Sequence, residues 1–457
     1  MFSVVRGFSD IKEQYLLQNP YTMILSIRRR MMTMGTKYFH AIIGIVFTVL
    51  FLTYAQAFGG EETVINGIPT VRNSSIPSHG HETIRLVEQW RAGGEDDDTV
   101  FGLITQVRTD PDGYIYLLDA QLCEVYIYSP DGEFVRSVFR EGDGPGEIRE
   151  PVDMLIFEDG SVGAAHEFPA VITMVDRRGN PAGSLQLGGD DPAARSSMSL
   201  IGCNANGGNI VISGSQFNMS DTPGIQDRTN FLASFSSNGS ELVRYMENKT
   251  QYDFTDFSFI EREHTPHFWW GYAVGWDGRV YVPRSRDEYA IHMYSKDGTL
   301  ERVFERECET WFRTNEEKKR MRTLIEGATA GSPGEVHIVV EDTEPAIAYF
   351  HRGLRVTSNG NLWVLPSRGL RDQPEDVFIT YDVFDPNGNF IKQVSVACDG
   401  NPMSDGLFII NEDRAVMVRG YLDALAAQFG RGVTFTEDGE EPALMEVICY
   451  TIEGNIP

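Results

Sequence analysis

Basic residues are scarce: 39 Lys and Arg stand against 66 Asp and Glu in 457 residues, a formal net charge of -27. Six of the basic residues and only two acidic ones precede residue 58, so the remainder carries 33 against 64, a net of -31. A surface that acidic repels phosphate backbones, which excludes electrostatic capture of DNA or RNA. A long apolar run is also missing. The best candidate, residues 41–52, falls short of the ~20 residues that a helical membrane span needs. Cysteine is sparse, with five residues (Cys123, Cys203, Cys308, Cys398, Cys449), no Cys-x-x-Cys and no Cys/His cluster of zinc spacing. One or two disulfides would leave at least one thiol unpaired or paired between chains, and five small buried hydrophobes are the equal alternative. Also absent are a Gly-x-Ser-x-Gly elbow, a His-Glu-x-x-His pair and a Gly-Lys-Ser phosphate loop.

The short apolar run fits a different task. Arg28-Arg29-Arg30 and Lys37 precede it and Ala55-Gln56-Ala57 follows it, which are the parts of a secretory signal peptide with cleavage expected after Ala57. An uncleaved amino-terminal anchor is the alternative, and it would be the protein's sole contact with a membrane. No Cys follows the run, which argues against a lipid anchor. Residues 1–30 are untypical of such a leader, and Met31, Met32 and Met34 are alternative starts. The expected location is therefore periplasmic, cell-envelope or extracellular, with 1–57 as leader.

The exported part is built on a repeat. Asp110-Pro111-Asp112-Gly113 and Ser129-Pro130-Asp131-Gly132 bracket short runs rich in β-branched and aromatic residues, the pattern of strand, turn and strand. The strand after the first turn recurs after Gly113, Gly160, Gly208, Gly278 and Gly360, and more weakly after Asp413, and each copy leads into a second strand that closes on a turn. Six four-stranded units of this kind predict an all-β fold, a six-bladed β-propeller with antiparallel blades. The sixth unit lacks a fourth strand, while residues 83–90 alternate like a strand without a partner, so the amino-terminal strand is expected to complete the last blade. Val64 to Val71 places Asn66-Gly67 between two β-prone runs, which predicts a small hairpin, with a connector, over 58–80; the propeller then occupies 81–457. Thr314-Asn315-Glu316-Glu317 has the form of a capping box and opens a helical insertion over about 314–327. The loop 328–348 after it reads as a lid or a surface excursion.

The run Glu141-Gly142-Asp143-Gly144-Pro145-Gly146-Glu147, followed by Glu150-Pro151-Val152-Asp153-Met154, resembles the linker of NHL-type repeats, in which glycines and a proline lead into the innermost strand. The match resembles the six-bladed NHL-like propellers of exported bacterial proteins, over roughly 83–454, with the third and sixth blades departing from the pattern. That resemblance implies the fold; function within the class ranges from partner binding to lactone hydrolysis and amide lyase chemistry.

Irregular loops are where a rigid scaffold carries binding groups. The candidates are Asp119, His166, Glu167, His267, Trp269, Arg284, His351 and Arg368, with Gln121, Arg140, His264, Trp270, Arg286, Asp287, Arg371 and Asp372 beside them. Each has a plainer alternative. His166-Glu167 is half of an acid/base or metal pair, or a solvated loop pair. Trp269 is an aromatic wall or a core residue. The arginines are clamps for an anionic group or partners of neighbouring acids. The innermost strands, 104–109, 152–157, 199–203, 272–276, 354–358 and 407–411, offer Asp153 and Asn411 and little else to hold a hard cation. The leading expectation is a module that binds a protein, peptide or carbohydrate on its loop-rich face, without chemistry or cofactor. The alternative is a metal-dependent, lactonase-like hydrolase or lyase with calcium in a central channel.

Overall fold

The computed structural model of the chain describes residues 60–454, apart from 96, 158, 190–195, 333, 349–352, 423 and 426–443. The leader and His351 lie outside the described residues.

The recurring turn is held by its own first side chain. Asp110 accepts the backbone N–H of Asp112 and of Tyr114, each at 3.0 Å, and Gly113 at φ 83° supplies the left-handed step. Asp176 repeats this with Arg178 and Asn180 at 2.8 and 2.9 Å, and Asp385 with Asn387 and Asn389 at 2.9 and 2.8 Å. Each such turn reverses the chain tightly enough to pair the flanking strands.

Three antiparallel sheets follow one another in chain order. The first is β4 (Ile104–Thr109), β5 (Ile115–Asp119), β6 (Glu124–Tyr128) and β7 (Phe134–Val138); the second is β8 (Pro151–Ile156), β9 (Val162–His166), β10 (Val171–Val175) and β11 (Pro181–Gln186). The third is β12 (Met198–Asn206), β13 (Asn209–Met219), β14 (Ile225–Phe235) and β15 (Glu241–Asp253). After β16 (Ser258–Ile260) and the single turn α1 (Glu261–His264), a fourth array runs β17 (Ala273–Val274), β18 (Val280–Pro283), β19 (Ala290–Tyr294) and β20 (Leu300–Arg306). Helix α2 (Asn315–Thr329) and β21 (His337–Val339) separate it from a fifth: β22 (Leu354–Val356), β23 (Leu362–Val364), β24 (Val377–Phe384) and β25 (Phe390–Ala397). The last strands are β26 (Gly406–Ile409), β27 (Arg414–Arg419) and β28 (Glu446–Glu453).

The amino-terminal strands tie the later arrays together. A hairpin of β1 (Glu61–Ile65) and β2 (Ile68–Asn73) turns at Asn66-Gly67, as the sequence predicts, and β2 then lies parallel to β20, the outer strand of the fourth array. Strand β3 (His81–Gly93) pairs antiparallel with β28, Leu86 opposite Ile452 and Trp90 opposite Cys449, and so supplies the strand that β26–β28 lack. Its first half does something the sequence reading did not anticipate: it pairs parallel with β25, His81 opposite Gln393 and Arg85 opposite Ala397, which merges the last two arrays into one eight-stranded sheet. Ile84, Leu86, Trp363, Val394, Met417 and Ile448 are buried together at this junction. Among fully buried side chains, Phe231, Phe304 and Phe384 each stabilise by about 2–3 kcal/mol relative to exposure.

Helix α2 begins as expected, Thr314 accepting from Glu317 N–H while the Glu317 carboxylate accepts from Thr314 N–H, and it runs two residues beyond 327. Its Ile325 packs into a satellite core with Tyr252, Phe257 and Phe259. The loop that follows is fastened: β21 lies parallel to β16, and Glu341 N–H donates to the buried Glu261 carboxylate at 2.9 Å.

Candidate ligand-binding cleft

Several of the residues singled out in the sequence are committed to the fold. Asp119 is wholly buried at the end of β5, where its carboxylate accepts four backbone N–H groups, from Gly102, Leu103, Gln121 and Leu122. His166 ends β9 with Nε2 2.9 Å from Thr173 Oγ1, and burial lowers its pKa. Glu167 beside it is exposed. His267 donates from Nε2 to the Pro283 carbonyl at 3.0 Å, and burial pushes its pKa down to about 4. Trp269 is 9 % exposed and packs with Val211, Leu232 and Phe268, its ring edge-on to Trp270. Arg284 is paired with Glu288 at 2.8 Å and Glu305 at 3.0 Å. Arg286 is buried against Glu261, which Arg313 also grips through both carboxylate oxygens, at 2.7 and 2.8 Å.

Arg368 is placed differently. With Arg371 and Asp372 it borders a cleft of about 700 Å³. Four parts of the chain build it: the amino-terminal segment brings Ser75 and His81, the end of β20 brings Arg306 and the residues after it, the loop 366–374 brings the two other arginines, and β24 and β25 bring Thr380, Gln393 and Ser395.

One wall is a hydrogen-bond chain whose direction can be deduced. The Gln373 amide donates its nitrogen to the carbonyls of Arg371 (2.7 Å) and Arg368 (3.1 Å), which leaves its oxygen to accept from Thr380 Oγ1 at 2.5 Å. Thr380 has a single hydroxyl hydrogen, so across the 2.7 Å contact Ser395 must be the donor. Ser395 has then used its own, and His81 Nε2, 2.7 Å away, donates to it. Three strands and a loop are thereby held in one order.

The floor is Arg306. Its Nη1 meets the fully buried Asp382 carboxylate at 2.6 Å, and its guanidinium lies over the rings of Phe390 and Tyr289, 4.6 and 5.3 Å from their centres. Tyr289 Oη and Gln393 Nε2 donate to the same carboxylate at 2.7 and 2.9 Å. Burial pushes the Asp382 carboxyl up, and Arg306 and the two donors pull against it. At the rim, Arg368 bonds Glu309 at 2.7 Å, with 43 % and 83 % of their side chains exposed. A pair this exposed is worth little and yields readily to a ligand.

Arg306, Cys308, Glu309 and Arg368 also border a recess of about 60 Å³ whose other lining mixes charged, polar and apolar groups, among them Asp287, Thr310, Trp311, Glu344, Pro345 and Ala346. Burial raises the Cys308 thiol pKa, opposed by Arg306, so the thiol is neutral at physiological pH. Among the described residues no three His, Cys, Asp or Glu side chains come together as a metal site requires, and no helix is long and apolar enough to cross a membrane.

His81, Arg306, Cys308, Trp311, Thr380, Gln393 and Ser395 were not among the sequence candidates. His81 and Ser395 are brought together by a parallel register between strands more than three hundred residues apart in sequence, which leaves no local pattern to read.

No family model and no curated protein matches this chain. Among solved structures it is similar to a protein from Bacteroides fragilis inferred to be exported, at 11% identity over 83% of this chain and 99% of that one, with a TM-score of 0.43. It is also similar to a DUF4221 family member from Bacteroides vulgatus (9% identity, 82% and 99% covered, TM-score 0.42). A third is regucalcin, a calcium-binding protein from Agrobacterium tumefaciens (11%, 82% and 97%, TM-score 0.39). Likenesses of this depth transfer no site and no activity.

Proposed function

We propose that the chain is an exported six-bladed propeller that binds a carbohydrate, without catalysis, in the cleft beside Arg306. The blade reading is supported by six four-stranded antiparallel arrangements in succession, the last completed by β3, and by the glycine-rich linker that enters β8 at Pro151. The observation that carries the ligand class is the wall from His81 to Gln373. Fixed hydroxyl, amide and imidazole groups, flanked by the Arg306 and Arg368 guanidinium groups, match the dense donors and acceptors of a sugar.

A peptide fits less well. Extended peptides bind by adding a strand to an open sheet edge, and both outer strands beside the cleft are already covered, β20 by β2 and β25 by β3. A concave 700 Å³ site is also unlike the broad surface, ~800 Å² per partner, that a protein requires. The metal-dependent alternative has no observation in its favour among the described residues.

Screening the purified exported protein against immobilised glycans tests this reading, with calorimetry on any hit. A bound glycan whose affinity falls at least tenfold in Arg368→Ala is expected. A folded protein that retains no glycan, or a hit indifferent to both Arg368→Ala and Gln393→Ala, would overturn it. Intact mass of the secreted form should begin at Phe58; a form retaining residues 1–57 would rule out cleavage.

A further inference from the structure

Away from the cleft, one shielded positive charge has no counterpart. Arg306 meets Asp382, and Arg286 and Arg313 share Glu261, whereas Arg355 of β22 forms no ion pair or hydrogen bond among the described residues, and its Nη1 is buried without an acceptor. Directly opposite it in register stands Trp363 of β23, wholly buried, whose Nε1 is orphaned in the same way. We infer that these two donors belong to a binding site for a small anion such as chloride, set between the β22–β25 array and the strands β26–β28.

The strand register brings the donors to one place. Residues directly opposite on antiparallel strands share a face, with Cβ atoms about 5 Å apart, and Arg355 and Trp363 are such a pair. Tyr381 of β24 joins them: its ring centre is 5.4 Å from that of Trp363, and the positive charge of Arg355 opposes the rise that burial causes in its pKa. Leu354, Leu362 and Val364 alternate to the other face, where they pack with Tyr281 and Phe304. Trp363 and Tyr381 pack instead toward Leu407 of β26 and Met417 of β27. Thr380 and Asp382, on either side of Tyr381, are the residues committed to the cleft, so the two sites use opposite faces of one sheet.

Water is a poor occupant for such a place. A molecule that accepts from the guanidinium and the indole must still dispose of its own two hydrogens, and of these three side chains only Tyr381 has an atom that accepts. The cluster around Trp363 is otherwise apolar, with Leu365, Val383, Leu407 and Met417. An anion accepts from every donor and balances the charge as well. Glu412, the acid whose charge acts on Arg355, is engaged with Ser358 N–H at 2.9 Å and forms no ion pair with it. Burial pushes the Arg355 pKa down to about 10, which leaves the guanidinium charged at physiological pH and in need of that counter-charge. Both donor atoms are shielded, so a large ligand cannot reach them, while Arg355 as a whole is only half-buried and leaves a small ion a way in. The acidic surface repels anions at long range and keeps the affinity modest.

Crystals of the exported protein soaked in sodium bromide test the site directly: an anomalous peak in hydrogen-bond contact with Arg355 Nη1 and Trp363 Nε1 is expected. Melting in sodium chloride and in sodium gluconate at equal ionic strength then separates site binding from screening. Chloride should raise the melting temperature by roughly 2 °C over gluconate, because it binds the folded state alone. In Arg355→Met that difference should vanish, and in gluconate the variant should melt no lower than the parent, since it removes an unbalanced charge. Trp363→Phe, which deletes one donor and keeps the aromatic packing, should reduce the chloride effect and serves as the second variant should Arg355→Met not fold. An ordered water in place of bromide, or an ion pair between Arg355 and Glu412, would overturn the site. So would a chloride effect that survives in both variants. A bromide peak without any chloride effect on melting would mean an adventitious ion only, and the proposal would fall.

Discussion

Half-buried against β18, the His267 ring gives its Nε2 hydrogen to the Pro283 carbonyl and stays neutral, its pKa pushed from 6.5 down to about 4 by desolvation. Because the folded value lies below the unfolded one, its contribution to stability is complete above pH 6.5 and is lost as pH falls from there toward 4. His166, His264 and His292 are shifted in the same direction, chiefly by burial. Urea denaturation should therefore show stability declining across that window, and His267→Gln, which keeps a donor for the carbonyl but takes up no proton, should flatten the decline by up to about 3 kcal/mol. An unchanged slope would mean the ring is not held neutral. At Asp382 the expectation concerns a charge left behind. Asp382→Ala strands the Arg306 guanidinium, of which 10 % is exposed, without its carboxylate, and should cost about 3–5 kcal/mol in the same assay.

Among the elements, the insertion between β20 and β22 is fastened in part through one buried carboxylate. Glu261 is completely buried, shared between Arg313 and Arg286, and it also accepts the Glu341 N–H. Glu261→Ala should destabilise by about 3–5 kcal/mol and open residues 334–345 to limited proteolysis before the β-strands are cut; protection equal to the parent would remove Glu261 from that role. What the sequence disclosed here follows a physical line. The inner strands, the Asn66-Gly67 hairpin and the Thr314 cap are local patterns, written in consecutive residues, and each is found within a few positions of where it was read. The parallel pairings of β2 with β20, of β3 with β25 and of β16 with β21 have no such signature, since they join distant residues without a turn. The cleft depends on two of the three. Arg368, Arg371 and Asp372 were legible because an irregular loop carries them; His81 and Ser395 were not, because each reads as an ordinary strand residue.

For the molecule as a whole, β3 is the element on which two arrays depend. Removing residues 60–80 deletes β1, β2 and the connector and leaves β3, so cooperative melting by calorimetry should persist at a lower temperature, with the cleft losing Ser75 but keeping His81. Beginning the chain at 94 removes β3 as well, exposing the edge of β28 and the apolar junction around Trp363 and Ile448, and the single sharp transition should disappear. A truncated chain that still melts sharply would show the last array to be self-sufficient. The net of -31 beyond residue 57 bears on the same question, since mutual repulsion opposes compaction, and raised ionic strength should lift the melting temperature of the full protein.

Trp90 and Cys449 face each other across roughly 360 residues of sequence. A ribosome makes β3 long before it makes β28, so the earliest strand of the eight-stranded sheet waits through most of translation with its hydrogen-bonding edge unanswered. Separations of that size slow folding and prolong the interval in which unpaired strands adhere to one another. A chain delivered unfolded across a membrane would keep that interval out of the cytoplasm, and a helper protein that shields strand edges on the far side would shorten the time β3 spends alone.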